Sequence, residues 1–181
     1  MRATTAATSE LHKKSSAASA PLLCRRIVEV LGNVNENDPS LDLLDIAWPE
    51  LPCRALSRQT RGGRMVRIIL PPDQALDHGA VLATDRRVRL VVNLLPARVL
   101  VIRGTADELS KAAYAIGNLH IPAQIGGEEI LLPADKSVEA ALGQLGLPFQ
   151  LQTRRIRPMT QSLPRVGLNG DFAVAKKRDE R

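Results

Sequence analysis

The sequence predicts an α+β protein in two parts, an N-terminal all-β sandwich-like domain followed by a ferredoxin-like βαββαβ domain. Between Arg25 and Pro96, short β-branched or alternating runs are separated by Gly, Pro and Asn clusters, with no helical period. From Ala97 to Pro158 the order changes to strand, helix, strand, strand, helix, strand. Both chain ends lack an apolar period. The expected organisation is a disordered arm over 1–20, a β-rich domain over 21–96, a ferredoxin-like domain over 97–158 and a flexible tail over 159–181.

The arm is dominated by Ala, Ser and Thr, which bury too little surface to offset ordering entropy, and His12 within it reads as a solvated side chain. Arg26–Leu31 reads as a strand, closed by Gly32-Asn33 and the polar run 35–40. A short apolar segment, Leu41 to Trp48, is broken by Pro49 and Pro52. Ala55–Thr60 and Met65–Leu70 flank Arg61-Gly62-Gly63-Arg64 as a hairpin, because adjacent glycines permit positive φ where strands reverse. Val81–Ala83 and Arg87–Val92 flank a turn at Thr84-Asp85-Arg86. Arg54, Arg58, Arg61, Arg64 and Arg67 fall in the hairpin region, where those on one strand face would make a basic stripe, though a solvated edge that keeps the sheet from pairing is the simpler reading. Cys24 and Cys53 read as small buried groups.

In the second part, Arg98–Arg103 is a strand dense in β-branched residues. Thr105 and Glu108 stand three apart before an apolar run, the spacing of a capping box. Leu109, Ala112, Ala113 and Ile116 then recur on one helical face. Gly117-Asn118 supplies a left-handed stop, and Pro122 keeps the chain extended. Ile121–Ile125 and Glu129–Leu132 read as strands joined across Gly126-Gly127. Asp135 caps a second helix whose Val138, Ala141, Leu142 and Leu145 share a face, with Gly146 at its end. Gly143 weakens that helix by about 1 kcal/mol relative to Ala. Phe149, Leu151 and Thr153 alternate with polar residues as a last strand.

Composition narrows the function classes. Aromatics are 2% of the 181 residues, so stacking on bases or sugars is poorly supplied. Net charge is +6 and the sequence pI is near 9.9, a field that steers acidic partners but does not say whether they are nucleic acid or protein. The two cysteines lack C-x-x-C spacing, which speaks against a disulfide scaffold and fits a reducing cytoplasm. No run approaches the roughly 20 apolar residues of a membrane span, and the start carries no apolar signal-peptide core. A hydrolase would need Cys24 or Cys53 to meet His120 from a different domain, so an enzyme is not expected.

The stretch Tyr-x-x-Gly-Asn-x-His-x-Pro-x-Gln-Ile, from Tyr114 to Ile125, closely resembles the signature of the urease accessory nickel chaperones, the UreE family. The resemblance continues through Glu129, Asp135 and Val138 to Leu142 and Leu145, and more weakly back to about Leu51. Leu76–Ala83 resembles a turn of the same family, with His78 expected as a turn residue rather than a ligand.

The resemblance implies a nickel-binding metallochaperone that assists assembly of the urease metallocentre. His120 would be the central metal ligand, contributed by both subunits of a homodimer, with Tyr114, Gly117, Asn118 and Asp135 as further metal-site or interface residues. It also implies a cytoplasmic protein whose partners are the urease apoprotein and accessory proteins including a GTPase; this chain lacks the G-x-x-x-x-G-K-[ST] loop that would supply the nucleotide step. An imidazole site also suits zinc and copper, which would compete with nickel. Family members often carry histidines at the positions of Ala115, Ala134 and Lys136 and in a His-rich tail. Their absence here reduces the expectation to one intersubunit site per dimer, and leaves a metal-independent docking scaffold as the alternative. A ferredoxin-like RNA-binding module is the alternative from another class.

Overall fold

The structure, a computed structural model, describes residues 20–85 and 88–159. The expected arm and tail, His12, the turn residue Arg86 and the strand residue Arg87 therefore lie outside the described residues, apart from Ala20 and Met159 at the two limits. Within them the chain separates into two compact units, one holding residues 20–46 and 50–94, the other 47–49 and 95–159.

Seven strands build the first unit: β1 (Leu22–Cys24), β2 (Glu29–Val30), β3 (Leu41–Ile46), β4 (Ala55–Gln59), β5 (Met65–Ile69), β6 (Ala80–Asp85) and β7 (Val88–Leu94). They form a three-stranded sheet in the order β1-β5-β4 and a four-stranded sheet in the order β2-β6-β7-β3. Alternation along β5, with Val66 and Ile68 buried and Met65, Arg67 and Ile69 exposed, gives the first sheet one dry face. That face supplies Cys24, Val66 and Ile68 to a core shared with Leu44, Leu82 and Val92 of the second sheet, so the unit is the expected sandwich. β7 is buried on both faces, because Val34, Leu43 and Val81 pack around Val91 on the other side. The hairpin turn seals one edge: the Arg61 and Gly62 amides donate to the Leu43 carbonyl and the Asp42 carboxylate, while the Arg61 guanidinium reaches Asp45 at 2.9 Å and Glu36 at 2.8 Å.

The start of this unit differs from expectation. The strand expected over 26–31 shrinks to Glu29–Val30, the two residues that pair with β6, and Val28 and Val30 stay exposed. Just beyond it the Leu31 carbonyl occupies the place where a side chain on residue 79 would begin, a close approach possible because Gly79 is a glycine at φ +82°. The strand that pairs with β5 is the unforeseen β1, and it does so in parallel. Cys24 is buried as expected, but Cys53 is exposed, its amide closing a single turn onto the Glu50 carbonyl.

The second unit runs β8 (Ala97–Arg103), α1 (Ala106–Asn118), β9 (Gln124–Ile125), β10 (Glu129–Pro133), α2 (Lys136–Gln144) and β11 (Gln150–Arg154). The sheet order β11-β8-β10-β9, antiparallel throughout, is the ferredoxin-like arrangement. Leu109, Ala112 and Ile116 of α1 and Leu142 of α2 pack on Leu100, Ile102, Ile130 and Leu132, which covers one sheet face. The opposite face is covered too, since Val99, Val101 and Leu131 bury Ile156 and contact Trp48. Residues 155–159 therefore cross the sheet from β11 to the far edge, where the Arg157 amide donates to Gln124 Oε1 at 2.7 Å and the Met159 amide to the Ala123 carbonyl at 2.8 Å. The strand expected over 121–125 is reduced to Gln124–Ile125. The Ile121 amide turns back to the Ile116 carbonyl and Pro122 has no N–H, so neither joins the ladder.

Candidate metal centre at the end of the first helix

Helix α1 is held at its start by the expected capping box: the Glu108 carboxylate accepts from the Thr105 amide at 2.7 Å, and the Thr105 hydroxyl accepts from the Glu108 amide. The Thr105 amide first, and then the Thr105 hydroxyl, which also donates to that carboxylate, lower the pKa of Glu108. The far end departs from expectation. Gly117 and Asn118 remain helical, Leu119 is the cap, and the residue in the left-handed region is His120 itself, at φ +54°. Its amide donates to the Gly117 carbonyl at 3.0 Å. Histidine tolerates this region better than most residues with a side chain, though less well than glycine.

The consequence is a projecting imidazole. His120 is exposed, it follows the carbonyl end of the helix, and the last turn of α1 carries no basic residue to neutralise the partial negative charge there. Exposed aliphatic residues lie around it in the chain: Leu119 before it, Ile125 after the short loop, and Met159 tied by its amide to Ala123. Tyr114, one helical turn before Asn118, is three-quarters exposed.

Tyr114, Gly117, Asn118 and His120 are thus gathered on the last two turns of α1 and its cap. Asp135 stands apart as the N-cap of α2, where its carboxylate accepts from the Ser137 hydroxyl and, at 2.8 Å, from the Ser137 amide. Those bonds lower its pKa, the hydroxyl first. Among the described residues no three His, Cys, Asp or Glu side chains converge as a metal-binding group. His78 in the first unit serves its turn: its amide donates to Asp77 and its Nδ1 accepts from the Leu94 amide at 3.3 Å.

Two contributors to the loop after His120 were not singled out as site residues. Gln124 receives the crossing segment through its side chain, and Ile156, fully buried, anchors that segment. A lone apolar residue inside the basic run Arg154-Arg155-Ile156-Arg157 is the signal that marks such an anchor.

Fold and site together define a class: a small β-sandwich joined to a βαββαβ unit that offers one imidazole at a helix end. The family profile described as UreE urease accessory protein, C-terminal domain, matches residues 97–167. A urease accessory protein UreE of a Bacillus species is 30% identical over 145 residues, 78% of this chain and 96% of its own length. That of Lachnoclostridium phytofermentans is 32% identical over 138 residues, 72% and 91% of the two chains. That of Helicobacter pylori is 28% identical over 170 residues, 86% of this chain and the whole of its own. The chain belongs to the UreE family of urease accessory proteins.

Proposed function

We propose that this protein carries Ni(II) to urease, gripping the ion with His120 from each of two identical subunits. The observation that carries the reading is the position of His120: an exposed imidazole at the negative end of a helix, bordered by exposed Leu119, Ile125 and Met159. A lone imidazole cannot satisfy a four- to six-coordinate ion. A two-fold axis beside it doubles the ligand, because an isologous interface sets a residue near the axis against its own copy. Exposed aliphatic side chains are what such an interface buries.

Water and acceptor groups complete the coordination, so cargo leaves by ligand exchange and the low ligand count suits a carrier. Zinc and copper compete for the same donors, so selectivity rests on supply and on partners. The second unit dimerises and holds the metal. The first meets protein partners, which are the urease apoprotein and its accessory proteins, a GTPase among them, in the cytoplasm. The protein itself catalyses no reaction.

An RNA-reading role has less support. The sheet face on which such modules stack bases is here filled by Ile156 and Trp48. Calorimetric titration with Ni²⁺, combined with the solution mass, tests the proposal: one nickel per dimer is expected, with binding lost in His120→Asn. Equal nickel binding by that variant would sink the site, and a dimer indifferent to nickel would leave the docking scaffold in its place.

A further inference from the structure

We infer that the outer face of the β1-β5-β4 sheet docks an extended, acidic and aliphatic segment of a protein partner. The inference rests on the reading that the first unit meets proteins, and it specifies the surface and the chemistry. Outward from this sheet point Leu23, Met65 and Ile69, exposed by 44%, 43% and 40%, with Arg67 between the last two. The register sets Leu23 beside Arg67 and Arg67 beside Ser57, and the exposed Arg25 follows directly on the Cys24–Ile68 pair in the chain. The face therefore alternates aliphatic and cationic groups.

Its charge is uncompensated. None of the three strands contains Asp or Glu. Arg58, Arg61, Arg64 and Arg89 each have a carboxylate partner, whereas among the described residues Arg25 and Arg67 have none. An incoming carboxylate supplies the missing partner while neighbouring aliphatic side chains cover Leu23, Met65 and Ile69.

Shape argues for an extended segment. Among the described residues no further strand pairs with the outer side of β4, whereas the β3 edge of the other sheet is closed by Arg61 and Gly62. On β4 the outward residues Ala55 and Ser57 are small, so side chains of an added strand can reach across to Arg67 and Ile69. The described residues of the first unit include no Phe, Tyr or Trp, so bases would find no stacking platform and a protein segment is favoured over single-stranded nucleic acid.

The test uses the full chain without metal and a fluorescein-labelled peptide of alternating Glu and Leu, followed by anisotropy. Its Lys–Leu counterpart and an oligo(U) strand of equal length serve as the other arms. The Glu–Leu peptide is expected to bind and to weaken at least about tenfold in Arg67→Glu and in Ile69→Ser. Both positions are exposed, and circular dichroism confirms that the variants fold. Amide shifts on binding are expected over residues 55–59 and 65–69, and the other two probes should not bind. Undiminished binding to Arg67→Glu, shifts confined to the other sheet, absence of peptide binding, or oligo(U) binding that depends on Arg67 would each overturn the inference. Because nickel is absent and His120 untouched, failure here leaves the carrier reading standing, and loss of the nickel site leaves this surface standing.

Discussion

On the proposed reading, His120 combines a functional demand with a conformational cost. An L-residue in the left-handed region gives up about 1–2 kcal/mol, and glycine recovers this less about 0.5–1 kcal/mol for its freer unfolded state. His120→Gly should therefore be neutral or stabilising by up to about 1.5 kcal/mol in chemical denaturation while losing nickel binding. Loss of both stability and binding would make the residue a packing group. For the same reason His120→Asn is a fairer probe than His120→Ala, since Asn tolerates positive φ and Ala does not. The motif singles the residue out in the sequence, and the structure exposes it. Its backbone conformation was not legible there, because Gly117-Asn118 offers a stronger left-handed signal than the residue that adopts it.

At the scale of elements, the helix that presents this residue makes its own predictions. Gly117 is inside α1 with nothing within 4 Å of where a Cβ would sit, so Gly117→Ala should stabilise by up to about 1 kcal/mol. Had it been the left-handed stop, the same change would destabilise, so thermal unfolding decides between the two. The carboxylates of Glu108 and Asp135 are bonded at the helix starts and hold folded pKa values below their unfolded ones. Such groups stabilise above the unfolded value and lose that contribution as pH falls through the folded one. Helical circular dichroism should weaken below about pH 4, and less steeply in a Glu108→Gln, Asp135→Asn double variant. The elements with a long period or a named cap, β8, α1, β10 and α2, were legible from local chemistry; β11 was legible in its bounds but not in its face, since Leu151 and Thr153 are exposed while Gln152 and Arg154 are half-buried. β1 was not: it is three residues long and is defined by a partner distant in the chain, as Leu22 is by Val66. β2 and β9 were legible as strands but not in length, since only two residues of each join the ladder. The exposure of Cys53 likewise depends on a local turn that composition does not encode.

For the molecule as a whole, the segment from Arg155 to Met159 links the sheet to the loop that follows His120. Ile156→Ala should cost about 2–5 kcal/mol, as truncation of a buried branched side chain does, and should weaken nickel binding although it lies on neither helix. Measured in a background stable enough to stay folded, unchanged nickel affinity would show the crossing segment to be mere covering. The route of this segment also bears on how the protein is handled in the laboratory. Anything spliced after Arg181 follows within 22 residues of Met159, whose amide is hydrogen-bonded to Ala123, three residues past His120. A polyhistidine purification handle spliced there would add foreign imidazoles close in the chain to a segment bonded to that loop, ligands that Ala115, Ala134 and Lys136 do not supply. Stoichiometries from such material would describe the handle, so an amino-terminal, cleavable one is required.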